Sequence, residues 1–212
     1  MYITSDMYGL IIILSLVLCT LIIERKLTNQ DNELLWKLVF FMLLGGIIGA
    51  RLYHVIHLHP YYMQDPVRIL YVWQGGLGII GGLLGALVSF FIIAARTKLN
   101  YFYWLDKFAF VAPLAHSLGR VANIVNGELL PYAIYESLGM LITFGLFVLI
   151  KAKRLCQGTY SGLYLVCYGV VRIILEPTKQ EAWDFGNIYV AQLFAIVFVI
   201  VGALILYGTT KK

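Results

Sequence analysis

Seven long apolar runs constrain this chain more than any single motif does. A bilayer's hydrocarbon core is about 30 Å thick and is crossed by roughly 20 apolar residues in a helix. Only helices and closed barrels satisfy their own backbone hydrogen bonds there. Runs of that scale extend from about Tyr8 to Ile23, Leu34 to Ile56, Gly76 to Ala95 and Tyr101 to Asn123. After a break at Leu130, Pro131 and Tyr132, a fifth reaches Ile150; the sixth covers Gly158 to Leu175 and the seventh Ile188 to Tyr207. With 61% hydrophobic and 13% charged residues, and a mean hydropathy of +0.84, the chain has too little polar surface for a water-soluble globule. The expected fold is all-α: a polytopic membrane protein of seven transmembrane helices, one integral membrane domain over residues 1–212.

Basic residues set the expected orientation, because Lys and Arg near span ends are retained on the cytoplasmic side. Arg25 and Lys26 follow the first span, Arg96 and Lys98 the third, Lys151, Lys153 and Arg154 the fifth, and Lys211 and Lys212 the seventh. With seven spans these all fall on one side. The opposite side holds only Arg68, and Lys179 balanced by Glu181 and Asp184. The N-terminus is therefore expected outside and the C-terminus in the cytoplasm. The first span lacks a basic leader and a small-residue cleavage site, so it is expected to be retained. The net charge of +5 is accounted for by basic clusters facing anionic headgroups, and no nucleic-acid partner is implied. Cys19, Cys156 and Cys167 show no metal-ligand spacing and are expected to pack. No cluster of histidines and carboxylates at helical spacing calls for a metal, and no cofactor is expected. No paired broken helices point to a transporter, and the seventh span carries Gln192 rather than a Schiff-base lysine.

Polar groups inside the apolar runs are then the candidate working parts, since ions in a bilayer are costly and usually face a polar cavity. The segment Gly119–Glu128 holds an arginine, two asparagines and a glutamate. His116, Arg120 and Asn123 recur at four and three residues and share a helix face. Gly127 can end the helix and turn Glu128 back toward the same place. In the sixth span Tyr168, Arg172 and Glu176 recur every four residues, and Pro177 stops the helix. Both helices ascend from the cytoplasm in this topology, so Arg120 and Arg172 approach the same outer half of the membrane. Two guanidinium groups there suit a phosphate; the competing reading is structural, Arg172 paired with Glu176 and Arg120 with Glu128. Glycines 75, 76, 78, 81, 82 and 85 read as a helix-packing surface, and His54, His57 and His59 as interfacial.

These residues carry a resemblance. The run GRVANIVNGEL from Gly119 to Leu129 resembles the signature of bacterial prolipoprotein diacylglyceryl transferases. Tyr8-Gly9-Leu10, Gly49-Ala50-Arg51-Leu52-Tyr53, Trp73-Gln74-Gly75-Gly76 with Gly81-Gly82, Ile134-Tyr135-Glu136, and Tyr168-Gly169 with Arg172 and Glu176 are similar to further family motifs along nearly the whole chain. The resemblance implies a multi-pass protein of the bacterial plasma (inner) membrane. It implies transfer of the sn-1,2-diacylglyceryl group from phosphatidylglycerol to the lipobox cysteine of a preprolipoprotein signal peptide. Arg120 and Arg172 would hold the phosphate. Glu128, Glu176 or His116 would take the thiol proton, and Tyr8, Arg51, Asn123, Asn126 and Tyr168 would bind substrate.

The chain departs from the family pattern at two places. Ile80 stands where the family usually has a histidine, and the outer loop after Leu129 is short, with Pro131 and Tyr135 following almost at once. Two other readings follow from these departures: a phospholipid-dependent transferase with a different acceptor, and a lipid-binding membrane protein without catalysis.

Overall fold

A computed structural model of the chain describes residues 3–25, 27–151, 155–179, 184–185 and 188–210. Lys26, Lys153, Arg154, Glu181, Lys211 and Lys212, used above to orient the spans, lie outside the described residues.

Among the described residues eight helices follow one another: α1 (Ile3–Glu24), α2 (Asn29–His57), α3 (His59–Gln64), α4 (Ile79–Thr97), α5 (Tyr101–Val125), α6 (Tyr132–Ile150), α7 (Thr159–Leu175) and α8 (Val190–Thr210). Each apolar run became a helix, because in hydrocarbon the helix is the local way to pair every backbone N–H and C=O. A two-residue antiparallel pairing, β1 (Asp184–Phe185) with β2 (Ile188–Tyr189), precedes α8. Six of the helices are long and apolar enough to cross a membrane. The remaining long one, α7, has 17 residues, about 26 Å at 1.5 Å per residue, and it is the one that carries Arg172.

The chain forms two compact units, Met1–Lys26 with Tyr101–Lys212, and Leu27–Asn100. In the second unit α2 starts at Thr28, whose side chain accepts a hydrogen bond from the Asp31 N–H (3.4 Å), satisfying one of the otherwise orphaned N-terminal donors. Helix α2 packs along α4 through backbone: a Cβ at Gly49 would overlap the carbonyl oxygen of Gly81, and one at Gly81 that of Gly49. Such contact is open only to small residues, so Gly81 and Gly85 form the packing surface expected of the third run, while Gly75 and Gly76 precede α4 with positive φ. Between the two helices the chain makes α3 and two short 3₁₀ turns, Pro66–Leu70 and Val72–Gln74.

In the first unit α5 is the central element, contacting α1, α6 and α7, while α7 also packs on α8. Trp104, Phe147, Met140 and Ala133 are buried among these helices. Large residues such as Ile13, Leu149 and Leu204 point outward, as expected where lipid is the solvent. At one end of the unit the carboxylate of Asp106 in α5 accepts hydrogen bonds from the Gly158 N–H (2.7 Å), the Ser161 N–H (2.8 Å) and the Ser161 hydroxyl (2.7 Å). An anionic cap at a helix N-terminus meets both the unpaired N–H groups and the helix dipole, and this one docks α7 onto α5.

Candidate active site

The polar ends of α5, α6 and α7 meet on one carboxylate that the sequence reading had not placed in the site. Glu136, on the second turn of α6, is 0% exposed. His116 Nε2 lies 3.2 Å from its Oε1. Arg120 Nε is ion-paired with its Oε2, and Arg172 Nη1 lies 3.4 Å from Oε1. Three of the expected residues, from two helices, are thereby fixed around a partner on a third.

Tyr132, the first residue of α6, completes the frame. Its hydroxyl accepts a hydrogen bond from Arg172 Nη1. Its ring lies under both guanidinium groups, with centroid distances of 5.8 Å to Arg120 and 5.6 Å to Arg172, within cation–π range. Arg172 Nε also pairs with Glu176 Oε2 at 2.8 Å, the i,i+4 contact that the stripe predicted, and Glu176 is 2% exposed. Tyr168, one turn earlier, places its ring 5.2 Å from that of His116. Among the described residues neither arginine spends its Nη2 on a protein acceptor.

Around the end of α5 the polar groups form a second, connected layer. Arg120 Nη1 donates to Asn123 Oδ1 (3.2 Å), Asn123 Nδ2 donates to Glu128 Oε2 (3.0 Å), and Asn126 Nδ2 donates to Glu128 Oε1 (3.4 Å). Gly127 adopts φ +71°, the left-handed conformation that glycine enters without a Cβ penalty, and this returns Glu128 over the helix end. Arg120 therefore pairs with Glu136, and not with Glu128 as the structural reading of the sequence had it. Glu128 is exposed, and the buried Asn126 Oδ1 has no donor among the described residues.

Tyr8 is half-buried on α1. Arg51 belongs to the second unit and is 7% exposed. Its five N–H groups all go to backbone carbonyls: Nε to Ile69 (2.9 Å), Nη1 to Gly75 (2.6 Å) and Gly76 (3.2 Å), and Nη2 to Tyr71 (3.2 Å) and Arg68. It thus holds the 3₁₀ segment together. Ile80, in the first turn of α4, is 54% exposed. His54 accepts or donates at 2.9 Å with the Tyr62 hydroxyl. Among the described residues no group of three or more His, Cys, Asp or Glu is placed to hold a metal.

Glu136 and Tyr132 are the functional candidates that sequence reasoning missed. A carboxylate inside a 19-residue helix with one acidic residue was itself the signal, since a charge at that depth needs a partner.

The family model for prolipoprotein diacylglyceryl transferases matches residues 2–208. Similar chains include the phosphatidylglycerol–prolipoprotein diacylglyceryl transferase of Symbiobacterium thermophilum, 32% identical over 94% of this chain and 86% of the relative. The protein of the same description from Clostridium novyi is 30% identical, with 97% and 91% covered. That from Streptococcus pneumoniae is 32% identical, with 97% and 90% covered. These alignments run over 231 to 238 positions against 212 residues in this chain, so the relatives contain segments that it lacks.

Proposed function

The chain belongs to the prolipoprotein diacylglyceryl transferase family, and from that premise we infer that it moves the diacylglyceryl group of phosphatidylglycerol onto the lipobox cysteine of preprolipoproteins. The observation that carries the assignment of residues is the convergence of Arg120 and Arg172 on Glu136 with Tyr132 beneath both.

The reaction forms a C–S bond at the glyceryl carbon and breaks that carbon's bond to the phosphate oxygen. The phosphate leaves with the electron pair as glycerol phosphate, and the thiol loses its proton. The charge that develops on the departing phosphate calls for preorganised cations. Two guanidinium groups fixed by buried carboxylates supply them with no rearrangement at the moment of reaction. Their Nη2 groups are the donors for phosphate oxygens, in the bidentate manner that arginine favours over lysine. Glu136 is the positioning residue: it sets the distance between the arginines and offsets their charge in the absence of lipid.

The incoming thiol must be a thiolate to attack. His116, with its Nε2 3.2 Å from Glu136 Oε1, is the imidazole placed to accept that proton in place of a histidine at Ile80; Glu128 and Glu176 are the other acceptors within the same network. Asn123 and Asn126 orient the headgroup, the latter through its unpaired Oδ1 toward a glycerol hydroxyl. Tyr8 and Tyr168 contribute phenol groups to the lipid. As part of the same reading, α7 completes a seventh crossing in a single membrane domain, with the N-terminus outside and the C-terminus in the cytoplasm of a bacterium. The basic ends of α1, α4 and α6 support that orientation.

The test is incubation of the purified protein with phosphatidylglycerol and a lipobox-cysteine peptide, followed by mass spectrometry. A diacylglyceryl adduct that disappears in Arg120→Ala is expected. Absence of any adduct from the unaltered protein, with lipid still bound, would favour another acceptor or a binding role.

A further inference from the structure

The first unit has a cavity that the reaction does not use. It lies at the C-terminal ends of α1 and α6 and the N-terminal ends of α5 and α7, has a volume of about 280 Å³, and is lined by Lys107, Lys151, Asp106 and Cys156 among others. Lys107 precedes Arg120 by thirteen residues on α5, about 20 Å along the helix axis, so this is a different place from the Glu136 cluster.

Its walls are of two kinds. Ile22, Ile23 and Leu155 form an apolar side, and Phe110 packs edge-on against Tyr160 at 5.2 Å. The polar side is cationic. Asp106 also faces the cavity, but both its oxygens are occupied by the first turn of α7 and its charge is offset by that helix's dipole. Lys107 is held with its Nζ 4.9 Å from the Tyr103 ring centroid. Lys151 is exposed at the end of α6. No carboxylate of the described lining answers either ammonium group.

We propose that this cavity is a second anionic-phospholipid site, in which a lipid phosphate sits between Lys107 and Lys151 and the start of an acyl chain lies along Ile22, Ile23 and Leu155. Basic pockets between transmembrane helices are suited to anionic headgroups. The apolar wall beside the lysines selects an amphiphile over a soluble phosphate ester. In the proposed topology the site faces the cytoplasmic leaflet, on the other side of the membrane from the catalytic arginines.

Cys156 offers the readout, because its thiol is exposed in the lining. The full-length protein carrying Cys19→Ala and Cys167→Ala is placed in nanodiscs of phosphatidylcholine with increasing phosphatidylserine, and the rate of Cys156 alkylation by a maleimide is measured. Phosphatidylserine is expected to slow alkylation saturably. In Lys107→Gln/Lys151→Gln the half-saturating fraction should rise by about 30-fold, and in Lys151→Gln alone by about fivefold. Lys107→Arg/Lys151→Arg should restore it. Because these lysines stand outside the reacting cluster, the glutamine variants should still lipidate the peptide, which shows that they are folded. No slowing, or equal slowing with and without the lysines, overturns the site. Equal protection by glycerol phosphate in pure phosphatidylcholine discs overturns its assignment to a lipid. The readout is independent of turnover, so it stands or falls apart from the transferase reaction.

Discussion

Helices are joined in this protein by two opposite means. In the second unit α2 and α4 meet through glycines, backbone against backbone. In the first, the polar ends of α5, α6 and α7 meet through two arginines, a histidine and the buried carboxylates of Glu136 and Glu176. Small-residue contact depends on shape: it gives close packing and asks for nothing from the rest of the chain. The ionic contact depends on balance, because removing one member leaves the others buried without a partner. A protein whose only need were to hold helices together could use the first device everywhere. The second stands where the proposed reaction needs charge presented to a phosphate.

The largest effect expected to separate the two contacts is at Glu136. Glu136→Gln removes the negative charge shared by both arginines and should cost about 3–5 kcal/mol of stability, with transferase turnover lost. Thermal unfolding in detergent and the peptide assay report the two separately. A variant that is as stable and as active as the parent would break the distinction.

Next come the arginines. Arg120→Ala and Arg172→Ala should each lower turnover by about a hundredfold to a thousandfold, the range for losing one group that stabilises developing charge. Insertion and helical content by circular dichroism should be retained. Full activity in either would sink the phosphate clamp.

The glycine contact should respond differently. Gly81→Val drives a side chain into the Gly49 carbonyl and should cost about 1–3 kcal/mol, read as a lower midpoint of thermal unfolding. The turnover of the protein that remains folded should change far less than in the arginine variants. A turnover loss as large as that of Arg120→Ala would show that the α2–α4 crossing serves the chemistry and not only the packing. Smallest of all, Cys156→Ala, at an exposed position away from the reacting cluster, should lie within about 0.5 kcal/mol of the parent in the same unfolding measurement.

Much of the site was legible because its spacing is local. His116, Arg120 and Asn123 lie on one face of α5, and Arg172 reaches Glu176 one turn on. Both follow from helical periodicity once the apolar runs are recognised as helices. Glu128 returning at Gly127 was equally readable, since the turn needs only a glycine with positive φ. The family motifs had quoted Tyr135 and Glu136, yet nothing in their spacing told which arginine the carboxylate would meet. Arg51 shows the same limit from the other direction. The family resemblance alone implied it as a substrate contact, and the fold shows its five donors on carbonyls between Arg68 and Gly76, a segment whose short helices no apolar periodicity announced.

The sequence by itself determined the solvent and therefore the elements: apolar runs of bilayer length have helices as their local solution, and polar stripes three or four residues apart must share a face. Only the tertiary structure decided which faces meet. The choice of Glu136 over Glu128 as the partner of Arg120, the pairing of Gly49 with Gly81, and the lysine-lined cavity at the far ends of α5 and α6 each join residues from different helices. Partner choice of that kind is governed by packing and charge balance between elements, and those energies have no period along the chain.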